Sequence, residues 1–230
     1  MPKPLLIDLY QQLPERMPAD DIDLWAYEMR QALRTYRSEV QTRYSEGTLQ
    51  RALQHQNAEM RRAAVLALSL VGTMGSNPYL AALLHDKDED TAKMASDALW
   101  ELWFRAGSVA ATSELKRLLR LTESQQILAG LNELIDEEPD FAEAINQRAI
   151  VYFQRGEYKR SLDDCHRVLD LNQFHFGAIA GSGQCYLRMN KPRQALAAFQ
   201  SALSVNPTLV ELKEAIEHLQ RLHPDSDEIN

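Results

Sequence analysis

Two consecutive stretches of this chain decide its fold: AEAINQRAIVYFQRGEYKRSLDDCHRVLDLNQFH at residues 142–175 and FGAIAGSGQCYLRMNKPRQALAAFQSALSVNPTL at residues 176–209. When one is placed on the other with an offset of 34 residues, six positions carry the same amino acid: Ala144/Ala178, Ile145/Ile179, Tyr152/Tyr186, Leu162/Leu196, Leu169/Leu203 and Asn172/Asn206. Apolar residues recur at the spacing of one helix face in each copy. The two stretches therefore predict two successive helix pairs of one design.

The order of large and small residues in both copies resembles the tetratricopeptide repeat (TPR). The second copy supplies Ile179, Gly183, Tyr186, Ala195, Phe199 and Pro207, and the first supplies Ile145, Ala149, Tyr152, Ser161, Cys165 and, in place of proline, Gln173. Small residues in this pattern let two helices approach closely. Gly156 and Asn190 stand where the first helix of each pair must end, and both residue types tolerate a positive φ.

Weaker copies extend this array on both sides. A further shift of 34 residues places residues 108–141 in register as a degenerate TPR, with Pro139 in the position of Pro207. Residues 210–222 predict an amphipathic capping helix, because a repeat array needs a terminal helix with one polar face. Residues 223–230 are expected to form a flexible tail.

The amino-terminal half repeats with a different step of 31 residues, which aligns residues 48–72 with residues 79–103. The matched positions are Leu49/Leu80, Leu53/Leu84, Ala64/Ala95, Ala67/Ala98 and Leu68/Leu99. Each copy consists of a short apolar helix, a polar turn and a longer helix rich in alanine and leucine, which resembles the HEAT repeat. That resemblance implies that Asn57 and Asp88 cap the second helices and that a basic residue follows on each.

Two further helices are predicted before these pairs. Residues 21–45 carry apolar side chains at helical spacing and are expected to pack on the first pair. Residues 1–18 predict a short helix that ends near Pro14 and Pro18, since proline cannot continue a helix.

The junction between the halves, LWELWF at residues 99–104, places large apolar side chains on more than one helix face. A helix buried on two sides would explain this pattern, so we expect one continuous array. The predicted fold class is all-α, an α-α superhelix or helical-repeat solenoid. HEAT-like pairs in residues 1–107 precede a TPR domain in residues 108–230.

Charge and composition limit the classes of partner. The formal net charge is −8, and neither half of the chain is basic. Nucleic-acid binding normally leaves a cluster of Lys and Arg, so we expect no nucleic-acid partner. No apolar run approaches the ~20 residues of a membrane span, and Asp8 interrupts any secretory signal core. We therefore expect a cytoplasmic protein without a membrane partner.

The two cysteines, Cys165 and Cys185, are too few for a disulfide framework. Both occupy apolar helix positions, where a free thiol behaves as a small hydrophobe. We interpret them as buried thiols in preference to a bridge or a metal site.

No set of residues in the sequence predicts catalysis. His55 and His85 occupy the turns of successive pairs with Asp86 and Asp88 near, but without a His-x-x-His or Cys-x-x-Cys pair we favour exposed turn residues over a metal bridge. Cys165 and His166 are adjacent, so their side chains diverge by about 100° on a helix. Gly181-Ser-Gly183 lacks the preceding strand and the lysine of a phosphate loop. We predict a protein that is not an enzyme and holds no metal or cofactor.

Binding is instead expected on the concave side of the TPR array, which the first helix of each pair lines. The residues that face this groove are predicted to be Asn146, Gln147, Ile150, Phe153, Gln154, Gln184, Leu187 and Arg188. Their amides suit the backbone of a peptide, and their apolar side chains offer anchors. A basic clamp of the Hsp70/Hsp90-binding type is disfavoured, because Glu143, Asn146, Gly177 and Gly181 occupy the positions that would need Lys or Arg.

Two functions follow from such a groove. The first is a protein adaptor or scaffold in a larger assembly, with a peptide or protein segment in the groove. The second is a structural solenoid that self-associates, for example as a homodimer, without a separate ligand. In either case a neighbouring helix of the same chain remains an alternative occupant of the groove.

Overall fold

The structure, a computed structural model, describes residues 5–15 and 21–222 of the chain. Thirteen α-helices and no strand occur in these residues. None of the helices described is long and apolar enough to cross a membrane. The chain divides into two compact units, Met1–Leu102 and Trp103–Asn230. The prediction of an all-α fold is confirmed.

Six helices begin in the first unit: α1 (Leu5–Gln11), α2 (Ile22–Arg43), α3 (Glu46–Ala52), α4 (Ala58–Val71), α5 (Asn77–Ala82) and α6 (Glu89–Phe104). Single 3-10 turns precede α5 at Met74–Ser76 and follow it at Leu83–His85. The long helix predicted at residues 21–45 is α2, and the short one predicted near the amino terminus is α1. Pro18, the predicted end of that short helix, lies outside the described residues.

The centre of the first unit is α4, against which α1, α2 and α3 pack. Its alanines Ala63, Ala64 and Ala67 are fully buried, and such small side chains let neighbouring helices approach. Tyr36 of α2 is also buried, and its hydroxyl donates a hydrogen bond to the Ala63 carbonyl at 2.8 Å. The Ala-rich pattern of the sequence therefore marks the packing face of α4.

Both predicted caps in this unit are confirmed. The Asn57 side chain accepts a hydrogen bond from the Glu59 amide at 2.7 Å and opens α4. Asp88 immediately precedes α6, and its carboxylate accepts from the Thr91 amide at 3.0 Å. These side chains satisfy amide groups that a helix start leaves without an intrahelical partner.

A buried ion pair ties the start of α4 to the turn before α6. Arg61 donates two hydrogen bonds to the Asp86 carboxylate, at 2.6 and 2.7 Å, and each side chain is 6% exposed. The same guanidinium donates to the carbonyls of His55 and Gln56 at 2.8 and 3.0 Å. Burial alone would raise the pKa of Asp86, but hydrogen bonds from Arg61 and from the Asp88 amide prevail and lower it.

The second unit contains α7 (Val109–Leu118), α8 (Ser124–Glu137), α9 (Ala142–Gln154), α10 (Tyr158–Leu171), α11 (Phe176–Arg188), α12 (Pro192–Val205) and α13 (Glu211–Leu222). Each helix packs against the next in chain order, and α9 also contacts α11. Gly156 and Asn190 have positive φ values of 77° and 58°, as predicted for the ends of α9 and α11. In α13 one face is buried through Leu212, Ile216 and Leu219, while the five charged residues of the helix are exposed.

Two glycines of α11 provide a matched test of this packing. A Cβ atom at Gly183 would lie 2.5 Å from the Phe199 ring, whereas one at Gly181 would lie 3.4 Å from the Cys165 sulfur, an ordinary contact. We expect Gly183→Ala to lower the free energy of unfolding by about 1–3 kcal/mol, because an overpacked core is strained. Gly181→Ala should raise it by up to about 1 kcal/mol through helix propensity. Urea unfolding followed by circular dichroism measures both, and equal effects would refute the close approach of α12 to Gly183.

Candidate functional site

The residues predicted to line the groove fall on α9 and α11, which contact each other. Gln154, Gln184 and Arg188 are exposed, Ile150 is 41% exposed, and Gln147, Phe153 and Leu187 are partly buried. Seven of the eight therefore reach the surface of the second unit. Asn146 differs, since it is 4% exposed and belongs to the interior.

Phe153 forms the aromatic centre of this surface. Its ring centroid lies 5.4 Å from that of Tyr158, the first residue of α10, and the two rings are tilted by 59°. The guanidinium carbon of Arg188 lies 5.9 Å from the Phe153 centroid, within the range of a cation–π contact. Phe153 belongs to the first TPR-like helix pair and Arg188 to the second, so the two repeats meet at this contact. We call these two side chains the Phe153–Arg188 shelf.

The Arg188 guanidinium lies over the Phe153 ring and has no carboxylate partner in the described residues. Within residues 5–15 and 21–222, Arg188 makes no ion pair, whereas the nearby Arg155 and Arg160 both pair with Glu157 at 2.7 Å. A guanidinium has five N–H donors in a planar fork, so Arg188 can donate to a carboxylate or a carbonyl of a ligand. The shelf therefore offers an apolar surface and a hydrogen-bond donor side by side.

Behind this surface lies a buried polar network that sequence reasoning missed. Glu143, at the start of α9, is fully buried. One carboxylate oxygen accepts hydrogen bonds from the side-chain amides of Asn146, at 3.2 Å, and Gln147, at 2.6 Å. The other lies 3.1 Å from the Nε2 of His175. The side-chain amide of Asn146 therefore already has a hydrogen-bond partner inside the protein.

His175 links this carboxylate to the next repeat. Its Nδ1 accepts a hydrogen bond from the Ala178 amide at 3.1 Å and so caps α11. Because Nδ1 is the acceptor, the ring proton is on Nε2, which donates to Glu143. The ring also stacks on Trp103 with centroids 4.2 Å apart. The sequence does carry one signal for this network: Glu143, Asn146 and Gln147 are spaced at i, i+3 and i+4, which places them on one helix face.

The other candidates from the sequence form no group of metal ligands in the described residues. His55 and His85 are exposed turn residues, and the Nδ1 of His55 accepts from the Asn57 amide at 3.1 Å. Cys165 is buried whereas His166 is exposed, and Gly181-Ser-Gly183 lies inside α11. In the part of the chain that the structure describes, no three His, Cys, Asp or Glu side chains are grouped as metal ligands.

Antiparallel helix pairs that pack in chain order define a helical-repeat protein. The family model for HEAT repeats matches residues 27–100 and residues 45–135. A TPR repeat-containing protein of Rhizobium etli is 27% identical over 128 residues, which cover 54% of this chain and 63% of that protein. The chain is thus a TPR/HEAT-like repeat protein, as the sequence patterns predicted.

Other similar proteins are larger or more distant. Anaphase-promoting complex subunit 7 of Dictyostelium discoideum is 25% identical over 85 residues, which cover 37% of this chain and 15% of that protein. The first TPR of Spaghetti (RPAP3), solved with the HSP90 peptide SRMEEVD, superimposes with a TM-score of 0.46 at 15% identity and covers 50% of this chain and 90% of that chain. The chain spans less than two thirds of the Rhizobium and Dictyostelium proteins.

Proposed function

We propose that this protein is a non-catalytic interaction module that holds a peptide or protein segment on the surface of α9 and α11. The observation that carries the proposal is the Phe153–Arg188 shelf, where an aromatic ring and a guanidinium without an ion-pair partner in the described residues meet at the surface. Helical repeats characteristically use such extended surfaces for binding. The chain would then act as an adaptor or scaffold in a larger assembly.

The surrounding side chains support a peptide-like ligand. Gln154 and Gln184 are exposed, and amides can both donate to and accept from the backbone of a bound segment. Ile150 on α9 is 41% exposed and Leu187 on α11 is partly exposed, so both add apolar area to the surface of these two helices. One relative, a subunit of the anaphase-promoting complex, is by its name part of an assembly, which agrees with a scaffold role.

The test compares two double variants in affinity capture from the native cell. Phe153→Ala with Arg188→Ala removes the shelf, whereas Leu171→Ala with Arg193→Ala removes similarly exposed residues from α10 and α12. We expect the first pair to reduce recovery of the specific partners at least about 10-fold, because an aromatic and an arginine are typical binding hot spots. The second pair should leave recovery unchanged. Partners retained at full level by the shelf variant would show that the groove is wrongly assigned.

Sedimentation of the purified chain distinguishes the adaptor from self-association. The adaptor predicts a wild-type chain that stays monomeric at micromolar concentration. A tight homodimer that the shelf variant dissociates, while the Leu171/Arg193 variant does not, would replace the adaptor with a self-associating solenoid.

A further inference from the structure

Two cysteines face each other across the helices that join the clear repeats. The Cys185 sulfur of α11 lies 3.2 Å from the Ser161 hydroxyl of α10. One turn further along α10, the Cys165 sulfur lies against Gly181, where a Cβ atom would be 3.4 Å away. Position 161 contacts position 185 and position 165 contacts position 181, so α10 and α11 are antiparallel. Cys165 and Cys185 therefore lie on facing helices, offset from each other by one helical turn.

The direction of the side chains brings the two sulfurs together. In an α-helix each Cα–Cβ bond tilts toward the amino terminus of its own helix. Because α10 and α11 are antiparallel, the Cα–Cβ bond of Cys165 points along the helix axis toward Cys185. The Cα–Cβ bond of Cys185 points back toward Cys165. The two thiols are accordingly close enough for each to shift the pKa of the other. Gly181 and the buried Ser161 are small, so little separates the two backbones.

Burial and hydrogen bonding give the two thiols different reactivity. The neighbouring Cys185 thiol, together with burial, raises the pKa of Cys165. The Cys165 thiol lowers the pKa of Cys185 against the opposing effect of burial, and the hydrogen bond with Ser161 lowers it further. Cys185 is therefore the sulfur that ionises first, and the thiolate is the reactive form. Both residues are at most 2% exposed, so only a small reagent fits.

We propose that Cys165 and Cys185 are a redox modification site, which closes to an intramolecular disulfide when the protein meets hydrogen peroxide. The Cys185 thiolate attacks one peroxide oxygen, the O–O bond breaks, and a sulfenic acid and one water form. Cys165 then attacks the oxidised sulfur, the S–O bond breaks, and a second water leaves as the S–S bond forms. Two thiols are oxidised by two electrons in total, and the peroxide is reduced to two waters.

The bond would connect the second helix of one repeat to the first helix of the next. Helix α11 also carries Gln184, Leu187 and Arg188, so oxidation would fix one side of the groove against α10. The loop that it closes runs from residue 165 to residue 185, and closing a loop of this size restricts the unfolded chain. The oxidised chain is therefore more resistant to heat than the reduced one. This inference does not depend on what the groove binds.

Treatment of the full chain with hydrogen peroxide, followed by intact mass, peptide mapping without reductant and thermal unfolding, tests the proposal. We expect a loss of about 2 Da and one cross-linked peptide joining α10 to α11. The unfolding midpoint should rise by about 5 °C, and dithiothreitol should reverse every change. Cys165→Ala should stop at a sulfenic acid on Cys185, seen as a gain of about 16 Da in the intact mass, and Cys185→Ala should show neither this gain nor the cross-link.

Three results would overturn the proposal: two unmodified thiols after treatment, sulfinic or sulfonic acid at either cysteine, or a disulfide between two chains. The mass and map of the wild-type protein decide among them, so the proposal stays testable even where a cysteine variant does not fold.

Discussion

Replacement of Asp86 by alanine is expected to lower the free energy of unfolding of the first unit by about 3 kcal/mol. The guanidinium of Arg61 would lose both of its hydrogen bonds to a carboxylate while staying 6% exposed. An ion left buried without its partner costs about 3–5 kcal/mol. Its remaining bonds to the carbonyls of His55 and Gln56 place the expected loss at the lower end of that range.

Chemical denaturation in urea, followed by far-ultraviolet circular dichroism, measures this loss. Glu39→Ala is the matched control in the same unit, because Arg43 and Glu39 also lie 2.7 Å apart but are 50% and 37% exposed. A solvent-exposed pair contributes about 0–1 kcal/mol, so the control should change stability little. Equal losses in the two variants would show that Asp86 does not hold the start of α4 to the turn before α6.

Replacement of His175 by alanine should cost the second unit about 4 kcal/mol, the largest loss that we expect from one residue there. The change removes the cap of α11, the hydrogen bond to Glu143 and the stacking partner of Trp103. A lost cap costs about 1 kcal/mol, and a buried carboxylate that loses a donor costs a further ~1–3 kcal/mol. The cavity left beside Trp103 adds to both effects.

The control variants separate these contributions. His175→Asn keeps a side chain that can cap the helix and should recover about 1 kcal/mol, although it is too short to reach Glu143. His166→Ala on α10 removes an exposed histidine and should change stability by less than about 0.5 kcal/mol. Thermal and urea unfolding give the three values. Stability of His175→Ala equal to that of wild type would mean that the buried network contributes nothing.

The repeats were predictable because the information is local. Helix periodicity gave both helix pairs of the clear TPR-like segment, and single residues gave their ends: Gly156 and Asn190 adopt positive φ, as expected. Asn57 and Asp88 cap the helices that follow them for a similarly local reason. Each of these features depends on a few neighbours in sequence, which a repeat pattern displays directly.

The buried polar partners were not predictable because they depend on how successive repeats align. Asp86 is 25 residues from Arg61, and His175 is 32 residues from Glu143. No periodic pattern specifies such a pairing. The alignment of the repeats also decides which polar residues are buried. Asn146 was predicted to line the groove, but it is buried beside Glu143.

The groove itself can be probed where it should contact its ligand. Gln184 on α11 and Gln200 on α12 are both exposed, but only Gln184 is expected to face the groove. A photo-cross-linking amino acid at each position, activated in the native cell, tests the proposed binding surface directly. We predict a defined adduct with a second protein from position 184 and none from position 200. Equal adducts from both positions, or none from position 184, would contradict binding on α9 and α11.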